Sequence, residues 1–274
     1  MILNVSGYCF AHLTHLPKMR EALANHCKAQ NLKGTILLSP EGINVFLAGP
    51  RTGVESAMDL IRSYPGLESF VGKESFSETQ PFRRMLVRLK KEVISFGVEK
   101  ANPLHHEAPR LSPKDLKRWL DEGKELILLD TRNDYEVELG TFQNAEHFDL
   151  KSFRAFIPAV EEKRTTWKHK TVVTFCTGGI RCEKAAPFMK MLGYEDVYQL
   201  EGGILKYFEE VGGEHWNGDC FVFDQRVALN PELKPSGHGL CFDCQTVLPH
   251  AGDPCPTCSP LNVPHENFDK TSHI

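Results

Sequence analysis

The chain has 274 residues, of which 41% are hydrophobic and 25% charged, with a formal net charge of −4. Such a composition fits a globular protein of two domains with room for a small appendage. No apolar run is long enough to span a membrane, and the charge weighs against a large nucleic-acid surface without excluding a local basic patch. The opening residues, MILNVSGYCF, lack a basic n-region and a small-residue cleavage site, so no secretory signal is expected. Nine cysteines, an odd count, point to a reducing cytoplasm with catalytic and metal roles rather than a disulfide framework.

Residues 1–92 read as an α+β unit. Ile2–Phe10 is a strand candidate, and Pro17–Gln30 is a helix with Met19, Leu23 and Cys27 on one face. Gly34–Ser39 and Ile43–Ala48 are strands joined by the hairpin signal Pro40-Glu41-Gly42. Thr52–Ser63 is a second helix with Val54, Ala57, Met58 and Ile61 as its apolar stripe, and Met85–Leu89 is the last strand. The order βαββαβ predicts a ferredoxin-like, acylphosphatase-like fold. On or beside the last strand lies a basic run, Arg83, Arg84, Arg88, Lys90 and Lys91. A solvated strand edge explains it from charge alone, and a phosphate-contacting track is the sharper alternative.

Residues 93–110 read as a linker, polar and without period, and its His105 and His106 are taken as solvated. Residues 111–215 alternate strand and helix, which predicts a parallel α/β sheet with helices on both faces. Ser112-Pro113-Lys114-Asp115 opens a helix with an N-cap, a first-turn proline and an acidic first turn. Leu126–Asp130, Thr171–Phe175 and Val197–Leu200 are strands, while Phe153–Glu162 and Ile204–Glu210 are helices. Asp130 and Cys176 both fall at the carboxyl ends of strands, where ligands of such sheets bind.

The stretch from Thr171 to Leu192 carries the chemistry. A β-branched strand runs into the loop Cys176-Thr177-Gly178-Gly179-Ile180-Arg181, and an amphipathic helix starts at Cys182. The glycines allow successive N–H groups to curl inward, the helix adds its positive end, and Arg181 adds a full charge. All three favour thiolate, so Cys176 is expected to be a nucleophile rather than an inert buried thiol. Asp130 is expected to support the loop through an ion pair. For Arg132 two readings stay open, partner of Asp130 and direct substrate contact. Cys182 is read as an inward-packed helix residue, with a redox pair as the alternative.

Residues 216–274 are cysteine-rich. Cys241, Cys244, Cys255 and Cys258 form two C-x2-C pairs separated by ten residues, which fits a structural tetrahedral zinc site. The tail from Pro260 to Ile274 is polar and is expected to be disordered.

The loop Cys176–Arg181, with Leu128-Leu129-Asp130-Thr131-Arg132 before it and Leu200-Glu201-Gly202-Gly203-Ile204 after it, resembles a rhodanese domain. Three further strings extend the likeness. They are Gly34 to Asn44, Pro81-Phe82-Arg83-Arg84 with Lys90-Lys91-Glu92-Val93-Ile94, and Gly218 to Val227. In that order they resemble the tRNA uridine(34) hydroxylase family. The resemblance implies a cytoplasmic enzyme that uses molecular oxygen to convert the wobble uridine of tRNA to 5-hydroxyuridine, with Cys176 as the essential cysteine. It also implies that the basic run from Arg83 to Lys91 touches the anticodon arm. No flavin or nicotinamide fingerprint is present, and no oligomeric state is assigned. The chemistry expected is addition of the Cys176 thiolate to C6 of uracil, which places enolate character at C5 for reaction with oxygen. The alternative is a sulfurtransferase carrying a Cys176 persulfide. A third class, a non-catalytic RNA-binding scaffold, is disfavoured by the intact loop.

Overall fold

The computed structural model describes residues 1–258 apart from 242 and 245. The polar tail from Pro260 lies outside the described residues. The first sheet contains β1 (Ile2–Phe10), β2 (Lys33–Ser39), β3 (Gly42–Gly49), β4 (Lys73–Ser77) and β5 (Met85–Leu89) in the order β4-β1-β3-β2-β5. Helices α1 (Leu16–Ala29) and α2 (Arg51–Arg62) alternate with these strands. The order 4-1-3-2 of the first four strands is the ferredoxin-like arrangement, with antiparallel pairing throughout. The expected fold is therefore present, but its fourth strand is Lys73–Ser77, not Met85–Leu89. The latter is a fifth strand, parallel to β2 at the opposite edge. The sequence KESFS hides β4 because the strand pairs only with β1, and an edge strand is protected by polar residues.

Residues alternate across this sheet as the pleat requires. Leu3, Val5, Ile36, Leu38, Val45 and Leu47 pack under the two helices with Leu23, Val54 and Ile61. The other face carries no helix of its own, and Ser6, Tyr8, Phe10, Leu37, Asn44 and Phe46 look onto the second half of the chain.

The stretch 93–110 holds no helix and no strand until β6 (Arg110–Leu111), yet it is no free tether. Val93, Phe96, Ala101 and Ala108 are buried, and the Phe96 ring meets Phe188 edge-on at 5.5 Å. Beyond it lie α3 (Pro113–Asp121), β7 (Ile127–Asp130), α4 (Asp134–Val137), β8 (Gly140–Phe142), α5 (Phe156–Trp167), β9 (Thr171–Phe175), α6 (Cys182–Met191), β10 (Asp196–Leu200) and α7 (Gly203–Glu210). Strands β6, β10, β9 and β7 pair in parallel in that order. Leu129, Val172 and Val197 face α5 and α6, whereas Leu128, Val173, Phe175 and Leu200 face α3 and α7. Both faces are covered, as a parallel sheet demands. The sequence pattern misses α4 and β8, which are one turn and three residues long.

The final stretch folds as three short antiparallel pairs. β11 (Trp216–Gly218) joins β8, β12 (Cys220–Phe221) pairs with β13 (Ala228–Leu229), and β14 (Gly239–Leu240) pairs with β15 (Val247–Leu248). The halves of the molecule are tied by a buried lysine. Lys184 on α6 is fully buried and donates to Glu41 at 2.6 Å, with Glu92 at 3.5 Å.

Candidate active site

Strand β9 delivers Cys176 to the carboxyl edge of the parallel sheet, and the chain turns there into α6. The turn is tight because Gly179 takes a φ of +95°, a conformation side-chain-bearing residues rarely adopt. Its N–H then points back and donates to Cys176 Sγ at 3.1 Å. Helix α7 braces the loop from behind. Ile204 N donates to the Cys176 carbonyl at 3.0 Å, and Leu205 N to that of Thr177 at 3.1 Å. Gly203 makes this approach possible, since a Cβ there would lie 2.4 Å from the Cys176 carbonyl oxygen.

Burial, the largest influence on Cys176, raises its pKa. It is outweighed by a hydrogen bond from the Cys182 thiol, the charge of Arg181, and the N–H groups of Arg181 and Gly179. The net shift is downward, which makes Cys176 a thiolate below the usual thiol range. Cys182 moves the opposite way, through burial and then the hydrogen bond and negative charge of Cys176.

Arg181 is itself nearly buried, with Nη2 2.8 Å from the Glu136 carboxylate. Its Nη1 is buried with no hydrogen-bond partner among the described residues. Arg181 as a residue lines the cleft. Glu136 also accepts from Asn133 N at 3.1 Å, closing a capping box on α4. Sequence reasoning gives Glu136 no role, although the Asn133-x-x-Glu136 spacing is its visible signal.

Of its two readings, Arg132 takes the geometry of the inward partner of Asp130. It is fully buried, binds Asp130 through Nε and Nη2 at 2.9 and 2.6 Å, and donates to the carbonyls of Glu136 and Gly140. Asp130 accepts additionally from Thr141 at 2.8 Å. Among the described residues, no hydrogen bond or ion pair joins this pair to the Cys176 sulfur. The pair holds the backbone of α4, and through it Glu136 and Arg181.

Cys176 opens onto a cleft of about 2630 Å³ between the open face of the first sheet, the parallel-sheet loops and the C-terminal hairpins. Thr177, Gly178, Ile180 and Arg181 line it, while Gly179 lies behind the loop. Arg83, Arg84 and Lys90 from the basic run also line it, and Arg88 and Lys91 do not. Three aromatic rings flank the loop. Tyr135 meets Phe221 at 5.3 Å, Phe221 meets Phe223 at 5.2 Å, and the Arg181 guanidinium lies 5.7 Å from the Phe223 ring centre. From the first sheet Tyr8 donates to the buried Glu183 at 3.1 Å, and its hydroxyl lies against Gly179. Burial first, then Glu183 and the Cys176 and Cys182 sulfurs, push its phenol upward, so Tyr8 stays a neutral donor. Composition and spacing hold no signal for Tyr8, Phe221 or Phe223, because their place at the loop arises only from the packing of distant segments.

At the far rim, the sulfurs of Cys241, Cys244, Cys255 and Cys258 lie within 4.8 Å of one another. Four convergent thiols suit a tetrahedral thiophilic cation such as zinc. Cys244 also lines the cleft.

Comparison with known proteins agrees with this layout. Residues 2–93 match the UPF0176 acylphosphatase like domain, and residues 112–210 match the Rhodanese-like domain. A tRNA uridine(34) hydroxylase from Cupriavidus necator is 51% identical over 271 residues, covering 94% of this chain and 96% of the relative. The chain belongs to the tRNA uridine(34) hydroxylase family. Members from Ralstonia nicotianae and Burkholderia pseudomallei are 48% and 47% identical, each over 94% of this chain. Within the family frame the rhodanese-like portion supplies the cysteine loop, and the acylphosphatase-like portion supplies the opposite wall of the cleft.

Proposed function

We propose that this protein hydroxylates uridine 34 of tRNA at C5, with molecular oxygen as co-substrate and Cys176 as nucleophile. The observation that carries the reading is a stabilised thiolate at the floor of a large cleft in a chain half identical to relatives named for that reaction. The cleft suits an extruded nucleotide. Arg83, Arg84 and Lys90 offer cations to the anticodon-arm phosphates, while Tyr135, Phe221 and Phe223 offer faces on which an unstacked base can rest. Addition of Cys176 Sγ to C6 of uracil makes C5 an enolate carbon, the position that must react with oxygen. Arg181 Nη1 and the loop N–H groups then stabilise the charge that develops.

In this reading Thr177, Gly178, Gly179 and Ile180 shape the bowl, and Asp130 with Arg132 holds α4 beneath it. The chain divides at 1–92, 93–110, 111–215 and 216–274, with the second stretch a packed connector. Cys241, Cys244, Cys255 and Cys258 hold a structural zinc ion. The four thiolates leave no open position, so its chemistry is the ordering of a segment too short to build a core. Cytoplasmic residence follows from the tRNA substrate, and no helix of the described residues is long and apolar enough to cross a membrane.

Nucleoside mass spectrometry on unmodified tRNA incubated in air with the purified protein tests the reading. A uridine with one extra oxygen, lost with Cys176→Ala and without oxygen, is the expected result. A uridine that gains sulfur from an added donor, with no oxygenated product, would establish the sulfurtransferase instead.

A further inference from the structure

Cys182 is a second buried sulfur at the loop that the chemistry above leaves unused. It sits at the first residue of α6, where Cys182 N bonds the Gly179 carbonyl at 3.0 Å while Gly179 N bonds Cys176 Sγ at 3.1 Å. One glycine thus fixes the approach of both cysteines. From below, Thr131 Oγ1 lies 2.9 Å from the Phe175 carbonyl, next to Cys176, and 3.8 Å from Cys182 Sγ. Gly179 and Thr131 hold the two cysteines at one corner of the loop, and the Cys182 thiol is among the groups that lower the Cys176 pKa. Cys182 is fully buried.

Resting on the hydroxylase reading, we infer that Cys176 and Cys182 form a dithiol that supplies the two electrons oxygen requires beyond those taken from uridine. Hydroxylation of one C–H bond uses half the oxidising capacity of an oxygen molecule, and the other oxygen atom must leave as water. The balance is uridine plus oxygen plus two thiols giving 5-hydroxyuridine, water and one disulfide. The Cys176 Sγ–C6 bond forms, and C5 takes up oxygen and a proton as a hydroperoxide. Cys182 sulfur attacks the distal oxygen and the O–O bond breaks. A hydroxyl stays on C5, and Cys182 carries sulfenic acid. Loss of the C5 proton expels the Cys176 thiolate, which displaces hydroxide from Cys182 and closes the disulfide. An external dithiol resets the pair. The order is self-timed: once Cys176 is a thioether its negative charge is gone, and one barrier to ionising Cys182 goes with it.

The test uses the full-length reduced protein, freed of thiol reductant, with excess unmodified tRNA in air. One 5-hydroxyuridine per chain, a Cys176–Cys182 disulfide by peptide mapping, and resumption on adding a dithiol are expected. Cys182→Ser keeps a donor to Cys176, so its Cys176 alkylation rate should stay within about threefold of wild type. Its product yield should fall by at least about tenfold. A purely structural role would move neither the disulfide nor the reductant dependence. Many turnovers without a dithiol, product without the disulfide, or a Cys182→Ser variant as productive as wild type would overturn the inference and leave the hydroxylase standing. No product from wild type even with a dithiol, while Cys176 alkylates normally, would sink the hydroxylase reading and this inference together.

Discussion

Cys176 ionises easily because three hydrogen-bond donors and the charge of Arg181 outweigh the cost of burying its charge. Arg181 contributes the only full positive charge among them. The sign of the effect is direct: the folded pKa is depressed, so the thiolate is present above it and is lost as pH falls through it. Alkylation of Cys176 should therefore reach its plateau at a lower pH than a free thiol of pKa about 8.5. Arg181→Met should move that midpoint upward and slow the reaction at neutral pH, by roughly tenfold for every pH unit that the midpoint rises above neutrality. A pH–rate profile with peptide mapping checks both, and an unmoved midpoint would remove Arg181 from the account. Glu136 shares the same arginine but acts on stability. It is fully buried, and Glu136→Ala leaves the Arg181 guanidinium buried without its counter-ion. Removing one partner of a buried pair costs about 3–5 kcal/mol, a loss that denaturant unfolding would register. Cys176, Arg181 and Asp130 are legible in the sequence because a strand–loop–helix junction places them by local rules. Arg132 is ambiguous there because an Asp-x-Arg spacing fits an inward pair and an outward contact equally well. Only the packing decides, and it seals the side chain completely.

The loop and the two helices that meet behind it form one unit. Helix α6 directs its N-terminus toward Cys176, and α7 closes the loop carbonyls with its first N–H groups. Gly203 is the contact point, with a φ of +67° and no space for a Cβ against the carbonyls of Cys176 and Thr177. Gly203→Ala should displace the loop, lower the melting temperature and reduce Cys176 alkylation at neutral pH by about tenfold or more, since a backbone shift misaligns the Gly179 donor. Differential scanning calorimetry with the alkylation assay would check it. A native rate in the folded variant would mean that α7 does not set the loop geometry. Strands β7 and β9 and helix α6 follow from their patterns, since buried apolar runs and helical periodicity are local signals. β4 does not, because an edge strand with one partner has no apolar face to advertise. β5 is visible as a strand, but its place in the sheet is not. Periodicity locates a strand without naming its neighbours, and a ferredoxin-like count of four strands leaves no room for a fifth.

The whole molecule works as a cleft between two differently built sheets, so its geometry depends on how they are held together. Lys184 is the central tie. It starts on the helix that follows the cysteine loop, and it ends between Glu41 of the β2–β3 turn and Glu92 beyond β5. Glu41 in turn accepts from Val93 N at 2.8 Å, so one carboxylate joins the hairpin, the connector and α6. No local pattern shows this tie, because its three charges come from three separated segments and a lysine on a helix ordinarily faces water. Lys184→Ala removes the cation that Glu41 and Glu92 share, leaving Glu41 with the Val93 N–H and Glu92 with the more distant Arg154 at 3.8 Å, and should cost up to about 3–5 kcal/mol. The functional signature is more specific than the loss of stability. At a temperature where the variant stays folded, Cys176 alkylation should be close to wild type, because the bowl is built within the parallel-sheet portion. Affinity for the anticodon arm should fall, because Arg83, Arg84 and Lys90 are carried by the other portion and no longer face the loop at the same distance. The salt dependence separates this from a general loss of structure. Each phosphate that the protein ceases to neutralise should lower the slope of log affinity against log salt by roughly 0.7, the value for single strands. Arg84→Ala alone should remove about one such step, and Lys184→Ala more than one. Anticodon-arm binding titrated at several salt concentrations gives the slopes directly. Equal slopes for wild type and Lys184→Ala would mean that the first sheet holds no part of the RNA, and that the cysteine loop and its aromatic neighbours bind it alone.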